Sequence, residues 1–143
     1  MEVFPSRGYL MPDYVTDTHG LIWYLQDSPR LSEQARQCFD ICDRGDCTIF
    51  VPTICLVEII YLQEKGRISS SMKAQLDSEL SAGASGIALA DLTAEVANLI
   101  VRVPRNQVAD MPDRIIAATA LHLDLPLITR DHKIKFSGLQ TIW

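Results

Sequence analysis

Four carboxylates stand where a folded chain seldom leaves them alone. Asp113 follows Asp110-Met111-Pro112, at the mouth of a run that turns apolar through Ile115-Ile116-Ala117-Ala118-Thr119-Ala120-Leu121. Asp17 ends the short run Tyr14-Val15-Thr16, Glu58 interrupts Ile54-Cys55-Leu56-Val57 and Ile59-Ile60-Tyr61-Leu62, and Asp131 follows Leu127-Ile128-Thr129-Arg130. An isolated carboxylate is costly at such places unless it is paired, hydrogen-bonded or bound to a cation. Acids held at these positions suit a metal site or a catalytic site. Helix capping alone is the alternative for Asp110 and Asp113, because the helix dipole favours negative charge in the first turn.

The elements that must position these acids follow from pattern. Pro112 costs little at a helix start, where the N–H groups have no intrahelical partner, so the spacing predicts a helix from about Pro112 to His122 whose small residues pack closely. Tyr14 to Asp17 reads as a strand and Thr18 to Gln26 as a helix with Leu21, Ile22, Trp23 and Leu25 as apolar surface. Ser32 caps a helix to about Asp43, Cys47 to Val51 is a β-branched strand, and Thr53 to Lys65 is helical with Gly66 just past its end. Met72, Leu76 and Leu80 recur on one face of a further helix opened by Ser69 to Ser71. Ile87 to Ala90 is a strand. Thr93 caps a helix whose Val96, Leu99, Ile100 and Val103 are spaced for burial. Leu127 to Thr129 is a fourth strand, and Leu139 to Ile142 a short last one.

Short apolar strands alternating with helices argue for an α/β sandwich with a mainly parallel sheet. Ligands of such sheets bind beyond the carboxyl ends of the strands. Asp17 and Asp131 fall at those ends, Asp113 begins a helix on the same rim, and Glu58 lies near the start of the helix after the second strand. All four can reach one crevice. No Gly-rich phosphate loop, internal repeat or long linker occurs.

The chain has 143 residues, 48% hydrophobic and 22% charged, with a formal net charge of −5. That length suits one domain with a single core. The negative balance argues against a protein that grips nucleic acid through a basic face alone, yet carboxylates gathered around divalent cations are compatible with it. Cys38, Cys42, Cys47 and Cys55 contain no CxxC pair, and reduced thiols used as small apolar residues are expected. Cys38 and Cys42, four apart on a helix, leave a metal pair open. Residues 1–12, with Pro5, Gly8 and Pro12, read as an N-terminal tail before a domain of residues 13–143. Met1 to Pro5 lacks a signal-peptide pattern and no apolar run is long enough for a bilayer, so a cytoplasmic protein that does not enter the membrane is expected.

Three segments carry a resemblance. Val15-Thr16-Asp17-Thr18-His19 with Leu21-Ile22-Trp23 behind it, Asp110-x-x-Asp113-Arg114-Ile115-Ile116-Ala117-Ala118-Thr119-Ala120, and Leu127-Ile128-Thr129-Arg130-Asp131 together resemble the PIN-domain family, and within it the VapC-type toxin ribonucleases of toxin–antitoxin pairs. The resemblance spans nearly all of residues 14–143. Glu58 matches the family's helical glutamate; Pro52 and Cys55 stand where the family often has serines. The resemblance implies a PIN-like three-layer sandwich, a mainly parallel central sheet flanked by helices. It further implies an Mg²⁺- or Mn²⁺-dependent endoribonuclease. Asp17 and Asp113 would be direct ligands, completed by Asp131 and Glu58 directly or through waters. It implies a VapB-type antitoxin as partner and a homodimer. Thr18 and Thr129 are available to orient a carboxylate or a water, and Arg114, Arg130, His132, Lys133 and Lys135 to meet RNA phosphates. The competing reading is a PIN-like RNA- or protein-binding module without turnover. A phosphotransfer receiver or DxD phosphatase fits worse, since residue 19 is His.

Overall fold

Apolar runs become strands at five places in the computed structural model, which describes residues 13–83, 86–136 and 138–143. The expected tail, residues 1–12, lies outside the described residues. The strands are β1 (Tyr14–Thr16), β2 (Ile49–Pro52), β3 (Ile87–Ala90), β4 (Leu127–Ile128) and β5 (Thr141–Ile142), in the order β3-β2-β1-β4-β5, and every pairing is parallel. Val15 sits in register between Phe50 on one side and Leu127 on the other. The chain leaves β1 toward β2 and β3, then returns to place β4 on β1's other flank. The order therefore reverses between β1 and β4, and a crevice opens at such a reversal beyond the strand ends.

The helices are α1 (Thr18–Leu25), α2 (Glu33–Asp43), α3 (Thr53–Glu64), α4 (Ser70–Ala82), α5 (Ala94–Leu99) and α6 (Met111–Leu123). Their starts follow local chemistry. Asp17 accepts from Gly20 N at the head of α1, Ser32 Oγ from Ala35 N at α2, and Thr93 Oγ1 from Val96 N at α5. Each satisfies one N–H that the first turn leaves without a partner. Gly66, at φ 71°, follows α3 in the left-handed conformation that ends a helix cheaply. The small face of α6 is fully engaged: Ile116, Ala117, Ala118 and Ala120 are buried and join the core of Val15, Ile49, Val51, Leu127 and Ile128. α6 packs against β1, β2, α3 and α5. Among the described residues, no helix is long and apolar enough to cross a membrane.

Two expectations are corrected. The first concerns the cysteines. Cys42 and Cys47 form a disulfide, with Cα atoms 4.3 Å apart, whereas Cys38 and Cys55 are free and buried. The link spans the reversal from α2 into β2, where Gly45 adopts φ 95° and its N–H donates to Cys42 O at 2.9 Å. Folding that turn tightly brings two residues of unremarkable spacing into bonding range. It also removes the Cys38/Cys42 metal pair.

The second concerns Arg114, which does not reach the rim. The helix opened by Thr93 tightens after Leu99 into a 3₁₀ turn, Ile100–Arg102. The Arg114 guanidinium turns to it, donating through Nη2 to Ile100 O and Val103 O, both at 3.0 Å. Its Nε is buried without a partner among the described residues, so the side chain is placed for those two carbonyls and not for a phosphate. Arg114→Ala is expected to lower unfolding free energy by about 2–3 kcal/mol, since charge-assisted bonds to half-buried carbonyls are lost. A urea midpoint shift at constant m would show it; an unchanged midpoint would remove Arg114 from the fold's supports.

Candidate active site

Asp17 stands at the strand-order reversal, one residue past β1, and it also caps α1. Its two oxygens are held from different directions. Gly20 N donates to Oδ1 at 2.7 Å, and the Thr129 hydroxyl donates to Oδ2 at 2.6 Å. Thr129, just past β4, in turn accepts from Asp131 N at 3.1 Å. The ends of the adjacent strands β1 and β4 are thus tied through one hydroxyl. Thr18, the first residue of α1, donates a short hydrogen bond to Glu58 Oε1 and so links α1 to α3. Both threonines orient carboxylates, as their positions allowed.

Gly20 is a residue that sequence reasoning missed. A Cβ there would meet Asp17 Oδ1 and Thr16 Oγ1, each at 3.0 Å. Glycine lets the helix backbone come close enough to grip the carboxylate. Its cost was the available signal: glycine inside a helix is less favourable than alanine by roughly 0.5–1 kcal/mol.

Asp113, in the first turn of α6, shares a pocket of about 480 Å³ with Asp110, Asp131, His132, Lys133 and Lys135. A second pocket, of about 450 Å³, adjoins it through Asp131, His132 and Lys133 and adds Asp17, His19, Trp23 and Arg130. Asp131 stands between the two, its Oδ1 accepting from Lys133 N at 2.9 Å. Of the five cations expected near the rim, Arg130, His132, Lys133 and Lys135 line these pockets.

The acids lie in one another's field. Asp113 is pushed up from 3.8 to about 6, first by burial and then by Asp131, Glu58, Asp110 and Asp17. Asp17 is also raised. Burial dominates and Asp131 adds to it, against the bonds from Thr129 and Gly20 and the nearby His19. Cys55 lies beneath them, its thiol 4.0 Å from Thr16 O. It is pushed far up by burial, with Asp17, Glu58 and Asp113 adding repulsion against a bond with Thr18, so it stays a neutral thiol. Mutual repulsion of this kind marks a place where a cation would be favoured.

Asp17, Asp113 and Asp131 therefore share one rim, and Glu58 stands near it, bonded to Thr18 and within the field of Asp113. They do not close into a cage: among the described residues, no three His, Cys, Asp or Glu side chains are grouped to hold a metal ion. An open rim of carboxylates is compatible with a cation such as Mg²⁺, which takes one or two carboxylates and keeps several waters. All the charged donors are oxygens, and they repel one another until a positive charge intervenes.

The sequence and the fold both resemble known proteins. The PIN domain family model matches residues 14–137. The chain is 28% identical over 125 residues to Ribonuclease VapC22 of Mycobacterium tuberculosis (strain ATCC 25618 / H37Rv), covering 87% of this chain and 92% of that protein. Its fold resembles that of VapBC2 from Rickettsia felis bound to a DNA fragment from their promoter, with a TM-score of 0.64 at 20% identity over 91% of this chain and 97% of that one. It resembles equally a toxin–antitoxin complex from Klebsiella pneumoniae, with a TM-score of 0.64 at 22% identity over 91% and 96% of the two chains.

Proposed function

Since the chain belongs to the PIN-domain family, we propose that it is a divalent-metal-dependent endoribonuclease, the toxin of a VapBC-type toxin–antitoxin pair. The observation that carries this reading is the convergence of Asp113 and Asp131 in one pocket and of Asp131 and Asp17 in the adjoining one, at the carboxyl ends of β1 and β4. A module that only bound RNA would gain nothing from negative charge aimed at an anionic strand. The likeness to a ribonuclease along nearly its whole length supports the same reading.

In this reading Asp17 and Asp113 hold Mg²⁺ or Mn²⁺, and Asp131 and Glu58 complete the site directly or through waters. When bound, such a cation makes a water nucleophilic near neutral pH and stabilises charge on the leaving oxygen. The chain supplies the positioning. Thr129 and Gly20 fix both oxygens of Asp17, and Thr18 fixes Glu58. Lys133 and Lys135, from the segment that carries Asp131, meet RNA phosphates.

A VapB-type antitoxin and self-association into a homodimer belong to this reading. Supporting a protein partner, α3 leaves Val57, Ile60 and Tyr61 exposed at 44%, 42% and 60% on one helical stripe beside Glu58. The test of the activity is cleavage of a mixed-sequence RNA with Mg²⁺ or Mn²⁺, with and without chelator. Cutting is expected only with free metal, through internal bonds. Cleavage that persists in chelator, or none with either metal, rejects the reading and leaves the binding module.

A further inference from the structure

Trp23, on α1, has a setting that the acids do not explain. Its ring lies 5.6 Å from that of His19, tilted by 49°, and 5.7 Å from Trp143, which meets it edge-on. The Arg130 guanidinium carbon stands 5.7 Å from its centroid. The indole also borders two spaces. One is the pocket it shares with Asp17, Arg130 and Asp131. The other, of about 260 Å³, it shares with Gln26, Arg30 and Arg67.

Trp23 packs in part against the core, with Ile22, Leu62 and Ile68 beside the second space. The rest of its ring is open, lies under a cation, and has acids on one side and two guanidinium groups on the other. Among the described residues, no ion pair holds Arg30, Arg67 or Arg130. In a chain with a net charge of −5, unpaired cations set around a single aromatic ring are a marked local departure. Single-stranded nucleic acid is held by this combination: aromatic faces for the bases and cations along the backbone, with guanidinium planes also able to stack on bases.

We propose that Trp23, together with Arg130, is a stacking platform for a base of the RNA strand adjoining the phosphate at the acids, and that Arg30 and Arg67 take a phosphate farther along that strand. The proposal rests on the ribonuclease reading and adds to it where the strand runs: from Asp17, across the indole, toward the gap between α1 and the end of α3. A peptide partner is the less suited occupant, because its natural footing is the uncharged stripe of Val57, Ile60 and Tyr61.

Trp23 and Trp143 are the chain's 2 tryptophans, so Trp143→Phe leaves Trp23 as sole reporter. Its emission is followed in chelator, where no metal is free, while three probes are added: an oligouridine RNA, an abasic ribose-phosphate oligomer of equal length, and inorganic phosphate. The RNA is expected to quench it and the other two to leave it unchanged. Trp23→Ala is expected to weaken RNA binding by about tenfold or more, with Trp23→Phe recovering most of the loss. Arg30→Ala and Arg67→Ala are each expected to weaken RNA and abasic oligomer alike, and to reduce the salt slope by about one.

Equal quenching by the abasic oligomer, or unchanged affinity in a folded Trp23→Ala protein, would overturn the platform. So would quenching by an antitoxin but not by RNA. If Trp23→Ala does not fold, the quenching result and Trp23→Phe decide. Metal-dependent cleavage without quenching rejects the platform and keeps the nuclease. Quenching without cleavage in either metal keeps the platform and rejects the nuclease.

Discussion

Asp17→Asn is expected to lower metal-dependent RNA cleavage by about a thousandfold or more while leaving the fold intact. Three powers of ten correspond to about 4 kcal/mol of barrier, within the several kcal/mol that a correctly held divalent cation supplies. Asparagine keeps the volume of the side chain and an oxygen for Gly20 N. Its amide can donate to the Thr129 hydroxyl oxygen, which has acceptor capacity for both that bond and Asp131 N. What disappears is the charge. Circular dichroism and melting temperature should therefore match or exceed the parent's. Cleavage within tenfold of the parent would take Asp17 out of the site, and an unfolded variant would make it a structural residue. Thr129→Val, which frees one Asp17 oxygen but keeps the carboxylate, should cost only about 10–100-fold, the usual scale for a residue that orients a metal-binding group.

The second large effect concerns stability without metal. Asp113 titrates at about 6 in the folded protein against an ordinary value of 3.8. The native state thus binds the proton more tightly than the unfolded chain does. Below the unfolded value the associated stability is fully present. As pH rises through the window from about 4 to 6 it is lost, because native Asp113 must ionise among other acids. For a fully buried group this gap is worth about 3 kcal/mol; for a half-exposed one, screened by solvent, about 1–2 kcal/mol is expected. In chelator, the parent should lose stability relative to Asp113→Asn between pH 4 and pH 7, equivalent to a melting difference of several degrees. Adding Mg²⁺ at the higher pH should raise the parent's melting temperature and leave the variant's nearly unchanged. If parent and variant show the same pH trend and the same response to Mg²⁺, the acids do not share a field.

Much of this was readable in advance, for identifiable reasons. Strands such as Ile49–Pro52 and Leu127–Ile128 are buried on both faces and so appear as continuous apolar runs. Ser32 and Thr93 announce helix starts because a first turn needs acceptors. Alternation of the two element types then puts Asp17 and Asp131 on one edge without any knowledge of loops. Side-chain direction was harder. Arg114 lies next to Asp113 in sequence, but its length lets it turn back to Ile100 and Val103, and spacing carries no information about that choice. Thr18 and Glu58, or Thr129 and Asp17, meet only after the sheet has closed. Cys42 and Cys47 depend on how tightly one reversal folds. Trp23 looked like ordinary helix surface, because its significance lies in neighbours contributed by distant parts of the chain.

The placement of β4 against β1 has one more consequence. Residues separated by nearly the whole chain must pair before Thr129 can reach Asp17, and closing so long a segment delays that contact relative to local structure. During synthesis, Asp17, Glu58 and Asp113 are all made before Thr129 and Asp131. On the nuclease reading, the site is therefore incomplete until the segment that carries Thr129 and Asp131 has been made and β4 has paired with β1.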